Sequence, residues 1–296
     1  MFPIFRVNRS LWNMNKNRCT FIISIQAMAK DAFSFSGGDA LNYDKYLGPL
    51  LFEPAALEVL QFLGDPATPS VLEISSGTGR LTRLLKSYFS PETKLIASDI
   101  SIDMLDLARQ KLNNDSIEYV VADAQQLPFE DNAFDLVICQ FGLMFLPDKL
   151  KGFQEALRVL KPGGRYIFST WDRLENIPLN NLIINETIVS FFNGTDKDRF
   201  HIPFSMHDRE NLLSYLKRAG FKKQQLFHLT FKAGQSSPED VVNGFLLKHP
   251  LGRVVLEKDP AALEPMAAML TEKISRNFGS PHVLADLQAY VGVGEK

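Results

Sequence analysis

The chain has 296 residues, with 34 acidic side chains against 32 basic ones, 45% hydrophobic residues and 22% charged ones, which excludes both a short disulfide-stapled peptide and a polyelectrolyte. No apolar stretch reaches the roughly 18 residues of a membrane-spanning helix, and the near-neutral balance offers nucleic acid or acidic lipid no general attraction, so neither partner is expected. At about 150 residues per domain the length suggests two domains, yet doubly wound α/β folds of this size also occur as one unit with decorations.

The first thirty residues carry Arg6, Arg9, Lys16, Arg18 and Lys30 and no acid, leaving 27 basic and 34 acidic groups for the remainder. The basic start, the apolar Cys19 to Ile25 and the small Ala27-Met28-Ala29 imitate a signal peptide; an organelle transit segment is another reading. The coherent pattern begins only at Asp31. Residues 1–30 are therefore read as a disordered arm or an early start with Met28 as the true first residue, and residues 31–296 as one domain. Two cysteines cannot build a disulfide framework, and Cys139 sits in the apolar run Leu136 to Phe141, where a buried free thiol and a reducing, cytoplasmic setting are expected.

Past Met28, short apolar runs alternate with amphipathic patterns, as in βαβ units of a largely parallel sheet. Ser70 to Ile74 reads as a strand, Gly79 to Phe89 as a helix and Lys94 to Ser98 as the second strand. Ser101 caps a helix running to about Leu112, and Ile117 to Ala122 and Phe134 to Gln140 are further strands, the last apolar on both faces as a central parallel strand should be. Asp148 caps a helix with the stripe Leu150, Phe153, Leu157 and Leu160, which Lys161-Pro162-Gly163-Gly164 stops before a fifth strand, Arg165 to Trp171. A capped helix from Ser205 to about Ala219 follows, then a strand over Gln225 to Lys232, and the β-prone tail Leu287 to Val293 offers a last strand. The stretches of about 172–204 and 238–278 interrupt the alternation and read as insertions, the second helical. The expected fold is α/β, a doubly wound, mostly parallel, seven-stranded Rossmann-like sheet with helices on both faces and helical insertions.

Val71 through Arg80 is a strand, a small-residue turn and a helix start, an arrangement in which glycines let the backbone approach a ligand and free N–H groups face an anionic part of it. Alone it is a weak signal, equally read as a tight strand-to-helix turn. Twenty residues beyond Gly79, at the end of the second strand, Asp99 can accept both hydroxyls of a ribose, and Asp123 at the end of the third can accept from an adenine amino group. The bland readings are a strand-end Asp preparing the next helix and an Asx turn.

Glu73 through Gly79, Asp99, Asp123-Ala124 with Leu127-Pro128-Phe129, Phe134-Asp135-Leu136-Val137 and Leu160-Lys161-Pro162-Gly163-Gly164 together resemble the class I S-adenosylmethionine-dependent methyltransferases, in order and spacing over about residues 70 to 171. The similarity is greatest to the small-molecule branch, methyltransferase type 11-like, whose cofactor-covering helix the segment Tyr43 to Pro49 is similar to. The resemblance implies S-adenosyl-L-methionine as cofactor. It places the methionine end at Glu73 and the loop Ser75, Gly77, Thr78 and Gly79, the ribose at Asp99, and the adenine between Ile100 and Met104 where Asp123 and Ala124 read it. Tyr46 from the covering segment and Gln140 from the fourth strand complete the implied cofactor set. Asp135 is read as structural. One departure is Ser75, where the family usually has glycine; a positive φ there would cost of order 1 kcal/mol.

Transfer of a methyl group from a sulfonium is an in-line displacement, so positioning and exclusion of water carry the rate, and no universal catalytic residue is expected. His201 is the nominee as base, against the reading of a structural histidine. No metal is expected. The apolar loop Gln140 to Phe145 should border the transferred methyl, with Tyr43, Tyr46, Phe141, Phe145 and Trp171 lining a chamber under a lid made of the covering segment and the 172–204 insertion. That favours a small organic or lipid-like acceptor. The rivals are a nicotinamide-dependent oxidoreductase, against which Thr82 in place of a third small residue and the Asp123-Ala124 pair speak, and a non-catalytic scaffold that keeps the nucleotide fold.

Overall fold

The computed structural model describes residues 38–195 and 197–296, so the expectations for residues 1–30 lie outside the described residues. Among these, seven strands form one sheet: β1 (Ser70–Ile74), β2 (Lys94–Asp99), β3 (Ile117–Val121), β4 (Phe134–Gln140), β5 (Leu160–Trp171), β6 (Lys223–Lys232) and β7 (Asp286–Glu295). Their order is β3-β2-β1-β4-β5-β7-β6, with β1 to β5 parallel and β7 antiparallel to both its neighbours. This is a mostly parallel, Rossmann-like α/β sheet. Every residue of β1 is buried, as a central strand covered on both faces requires. The tail joins the sheet as β7 because Leu287, Ala289, Val291 and Val293 alternate along it and all are buried.

Among the described residues before β1 the chain is helical in four pieces, α1 (Gly38–Asn42), a π-helical segment (Tyr43–Phe52), α2 (Glu53–Val59) and a 3-10 turn (Leu60–Phe62). Between the strands lie α3 (Arg80–Tyr88), α4 (Ile102–Leu112) and α5 (Lys149–Val159). Ser101 accepts from the Met104 N–H and Asp148 from the Lys151 N–H, so both expected caps operate. The later helices are α6 (Pro178–Ile183), α7 (Lys197–His201), α8 (Arg209–Ala219), α9 (Pro238–Val242), α10 (Pro250–Lys258) and α11 (Leu263–Phe278), with π-helical turns at Ile184–Val189 and Asn243–Leu247. No helix among the described residues is long and apolar enough to cross a membrane. Leu81 and Leu85 of α3 enter the core on one face of the sheet, and Phe153 of α5 with Leu212 and Leu216 of α8 enter it on the other.

Two boundaries differ from the sequence reading by more than two residues. The helix expected from Ser205 starts at Arg209, capped by Asp208, whose carboxylate accepts from the Asn211 N–H. Ser205 instead donates to the Ile202 carbonyl and closes the preceding 3-10 turn. The Lys161 to Gly164 stretch does not separate helix from strand: β5 already begins at Leu160, opposite Phe134, and its register shifts before Leu136 meets Arg165.

Several family-like motifs turn out to tie strands together. Asp135 accepts from the Ser70 hydroxyl at 2.6 Å and from Lys161 at 2.7 Å, joining the amino ends of β1, β4 and β5. Arg158 donates to the carbonyls of Leu127 and Phe129 and so clamps the loop after β3 to α5.

At the opposite, carboxyl ends, β1 and β4 meet where the strand order reverses, the crevice in which open α/β sheets bind ligands. Both strands end in left-handed backbone, Ser75 at φ 56° and Phe141 at φ 53°. The positive φ at Ser75 is the strained case the sequence raised. Gly142 follows with an ordinary φ of −99°, but a Cβ on it would lie 2.4 Å from both Cβ and Oγ of Ser75. The glycine that the family resemblance expects at 75 is absent, and the glycine at 142 takes up the space. Gly142→Ala is expected to cost about 1–3 kcal/mol of stability by overpacking. In a Ser75→Gly background the part due to Ser75 should vanish, leaving only what the added Cβ costs against Cys139 Sγ at 2.9 Å. Denaturant titration of the four proteins measures the coupling, and additive losses would show that Ser75 is not what Gly142 accommodates.

Candidate functional site

The turn after β1 is shaped by Gly77 and Gly79, at φ 54° and 80°, and is held by the Ser76 N–H on the Ser98 carbonyl at 2.9 Å. Gly79 has no room for a side chain, since a Cβ would lie 3.0 Å from that of Ala108 on α4. Glu73, on β1 just below the turn, is 2% exposed and accepts from the Thr82 hydroxyl at 2.6 Å. Burial, with the nearby Asp99 charge adding to it, pushes its carboxyl up to about 8 although the Thr82 bond acts the other way. Thr82 thus has a positive role here as the partner of Glu73. Asp99 accepts from the Gly77 N–H at 2.8 Å through one oxygen and from the Ser101 N–H at 2.9 Å through the other. Burial raises its carboxyl above the ordinary value despite those bonds.

Over the turn lies an aromatic wall. Phe141 and Trp171, from the ends of β4 and β5, stack with centroids 3.9 Å apart and planes within 7°, and Phe52 leans on both at 6.0 and 6.4 Å. Tyr43 stacks on Phe52 at 4.9 Å. The left-handed φ of Phe141 brings its ring into this stack. Gln140 donates from Nε2 to the Phe52 carbonyl at 3.0 Å, while its Oε1 and the Ser76 and Ser169 hydroxyls are buried with no hydrogen-bond partner. Ser169 is the register partner of Gln140, so the two orphaned groups sit side by side on one face of the sheet.

A cavity of about 50 Å³ remains between the Tyr43 and Phe52 rings of the wall and the turn. Of the expected site residues, Tyr43, Glu73, Ser75, Gly77, Thr78 and Gln140 line it, joined by Phe52, Ser76, Arg80 and Leu81, which the sequence reading did not single out. The others do not line it: Asp99 sits behind the Gly77 N–H, and Phe141 and Trp171, expected in the substrate pocket, are buried in their stack against Phe52. Gly79 packs on α4, Met104 and Ala124 are buried in the interior, and Ile100 is 71% exposed beside Asp99. Asp123 accepts from the Gln125 N–H at 2.8 Å in an Asx turn. Tyr46 is turned away from the cavity: its Cβ faces Gly244, where an added Cβ would lie 2.8 Å from it. Phe145 is 43% exposed at the outer edge. His201, the nominee as base, bonds through Nε2 to Asn185 at 2.7 Å and lies outside the cavity; burial lowers its ring below the ordinary value.

Asp44, 7% exposed, was also missed. Its Oδ1 accepts from Thr78 Oγ1 at 2.6 Å, Arg80 Nε at 3.0 Å and Lys111 Nζ at 2.5 Å. Burial works against its charge, but the hydrogen bonds from Lys111 and Thr78 and the charges of Lys111 and Arg80 prevail and hold the carboxyl below its ordinary value. The adjacent Tyr43, flagged in the sequence, was the one local signal for it.

A family model described as a methyltransferase domain matches residues 72–168. The ubiquinone/menaquinone biosynthesis C-methyltransferase UbiE of Hahella chejuensis is 32% identical over 185 residues, 56% of this chain and 72% of the relative. The UbiE protein of Idiomarina loihiensis is 34% identical over 173 residues, 54% of this chain and 69% of the relative. Among solved structures, the phosphoethanolamine N-methyltransferase 2 of Haemonchus contortus in complex with S-adenosyl-L-methionine superposes with a TM-score of 0.57 at 19% identity, covering 90% of this chain and 59% of that one. The YcgJ protein of Bacillus subtilis gives 0.53 at 18% identity, covering 82% and 97%. At these identities the structural likeness concerns the fold.

The raised Glu73 carboxyl makes a pH prediction. In the unfolded chain it ionises near its ordinary 4.5, in the folded one near 8, so between those values the folded state binds more protons and stability falls as pH rises. Glu73→Gln removes this penalty while keeping an acceptor for Thr82. The variant should gain on the parent by up to about 1.4 kcal/mol per pH unit across that window and by a constant amount above it. Thermal melts from pH 5 to 9 measure the gap, and a gap independent of pH would mean that Glu73 ionises normally.

Proposed function

The chain belongs to the class I S-adenosylmethionine-dependent methyltransferases of the type 11 family, and from that membership we propose how its site holds the cofactor and which acceptor it takes. Its reaction is the transfer of a methyl group from S-adenosyl-L-methionine to a small molecule. The nicotinamide and scaffold alternatives find no support.

The groups around the cavity suit this cofactor. Glu73 is a buried carboxyl whose hydrogen bond comes from a neutral hydroxyl, and Ser76 Oγ and Gln140 Oε1 are buried acceptors left over; an ammonium group supplies the donors they lack. Asp99 uses each oxygen once on backbone N–H groups and keeps lone pairs for ribose hydroxyls. Ile100, Ile102 and Val121 make an exposed apolar rim beyond it, which suits a purine face, with Met104, Asp123 and Ala124 behind. Ser75, Gly77, Thr78 and Gly79 turn the backbone around the methionine end. Tyr43 takes the covering role expected of Tyr46.

When bound, the cofactor supplies an electrophilic methyl group on a sulfonium. The protein's share is to hold, shield and orient. Tyr43, Phe52, Phe141 and Trp171 exclude water, and their ring faces tolerate a neighbouring positive charge. Burial pushes the Tyr43 hydroxyl far above its ordinary range, so it serves as a neutral wall. The acceptor is accordingly one that is already electron-rich at its reacting atom. The relatives named above are named for carbon methylation in ubiquinone and menaquinone biosynthesis, and we take the acceptor to be a lipid-like ring compound methylated at carbon. The stretches 172–204 and 238–278 are read as caps inserted in one catalytic domain. Several contacts support this: the Leu143–Phe145 turn touches the Ile202–Phe204 turn, and Tyr43–Phe52 packs on α9 and on Asn243–Leu247.

The aromatic stack over the glycine turn carries this reading. Calorimetry with S-adenosylhomocysteine should give binding, weakened by Asp99→Ala by about 1.5–3 kcal/mol as a charged acceptor is lost. Phe141→Ala should lower turnover of a ring acceptor, found by screening quinol and phenol panels with methyl-labelled cofactor, more than it weakens cofactor binding. Equal affinity of Asp99→Ala and parent would remove Asp99 from the site, and labelling of amines alone would overturn the ring acceptor.

A further inference from the structure

The segment Tyr43–Phe52 supplies a ring of the wall at each of its ends, so whatever fixes this segment fixes the wall. At its far end the hold is a neutral hydrogen bond, Gln140 Nε2 to the Phe52 carbonyl. At its near end it is ionic. One oxygen of Asp44 gathers Thr78 from the glycine turn, Arg80 from the start of α3 and Lys111 from the last turn of α4. Arg80 Nη2 also donates to the Asp44 carbonyl at 2.6 Å, and Lys111 Nζ to the Thr78 carbonyl at 3.1 Å. A single carboxylate therefore pins covering segment, turn and helix to one point. The next element shares Arg80 with this point, because Glu53 at the start of α2 pairs with Arg80 as well as with Arg83 on α3.

The crevice between segment and turn opens to solvent but holds only about 50 Å³, whereas pockets for ligands of this class occupy roughly 300–1,000 Å³. The crevice must therefore widen to admit the cofactor, and since Leu47, Leu50 and Leu51 anchor the middle of the segment in the core, the part able to give way is the near end around Tyr43. The near end carries the charges: once Asp44 is neutral, Arg80 and Lys111 lose the anion they share, with Glu53 left on the Arg80 side, and an amide oxygen offers fewer acceptor sites than a carboxylate.

We propose that Asp44 is a positioning residue that latches the Tyr43–Phe52 segment onto the glycine turn through Thr78, Arg80 and Lys111, so that cofactor exchange passes through rupture of this cluster. The proposal rests on the glycine turn being the cofactor site. A latch that closes both the free and the bound protein slows arrival and departure alike, whereas a ligand contact slows departure only.

Stopped-flow fluorescence with S-adenosylhomocysteine on the full chain tests it, comparing parent, Asp44→Asn, Lys111→Met and the double variant. Each single change should raise both the association and the dissociation rate roughly tenfold or more, as loss of a charge-assisted hydrogen bond allows, with Kd changing much less. The double variant should be no faster than the faster single one, because both open the same latch. Lys111→Met probes the cluster from α4 if Asp44→Asn folds poorly. Exchange rates within twofold of the parent overturn the proposal, as does faster dissociation with a proportionate loss of affinity, which would make Asp44 a ligand contact. A parent that binds no S-adenosylhomocysteine overturns the functional reading on which the latch depends.

Discussion

The carboxyl ends of β1 and β4 run side by side into left-handed backbone, and the site exists in its present form because the surrounding packing holds them there. An L-residue in that conformation costs of order 1–2 kcal/mol, and both Ser75 and Phe141 adopt it. At Ser75 the strained φ turns the chain off the strand and over into the glycine turn. At Phe141 it swings the ring out of the strand's alternation and onto Trp171. Gly142 lets the two bends lie against each other. Strain of this kind persists where the fold over-determines it, and here it separates a polar floor from an aromatic wall.

That separation organises the carboxylates. Glu73 and Asp99 lie under the turn, each raised first by burial, with each other's charge adding to the cost at Glu73. Asp44, on the segment above, is surrounded by cations and stays ionised. The floor therefore favours an arriving positive charge, while the cover already has its charges balanced. On the proposed reading an ammonium group is drawn to Glu73, a buried acid whose hydrogen bond comes from a neutral hydroxyl.

The motifs that mark the family divide by purpose. Glu73 and the turn at Ser75 to Thr78 line the cavity at the carboxyl ends, with Asp99 holding the turn from behind through the Gly77 N–H. Asp135 with Ser70 and Lys161, and the loop at Leu127 to Phe129 with Arg158, hold strands and loops at the remote end or along the edge of the sheet. A sheet whose amino ends are tied can carry strained turns at its carboxyl ends, and the signature spans both halves of that arrangement.

The sequence by itself determined what is encoded locally. The apolar runs of β1 and β4, the caps at Ser101 and Asp148, the turn from Ser75 to Gly79 and the β-prone tail depend on neighbours a few residues away, and all were legible. Even the strain at Ser75 was readable, since a serine in a glycine position raises the question of φ. Only the tertiary structure decided what depends on distant partners. Asp44 gains its role from Thr78, Arg80 and Lys111, which lie 34, 36 and 67 positions along the chain. Thr82, which looked like a flaw in a nucleotide turn, is explained only when the helix brings its hydroxyl to Glu73. Tyr46 points away from the cavity because the covering segment winds as a π-helix, with i→i+5 rather than i→i+4 bonds, and that altered period shifts which residues share a face. Spacing along the chain reveals periodicity and caps, but which groups neutralise one another is set by packing, because charges and hydrogen bonds act through space.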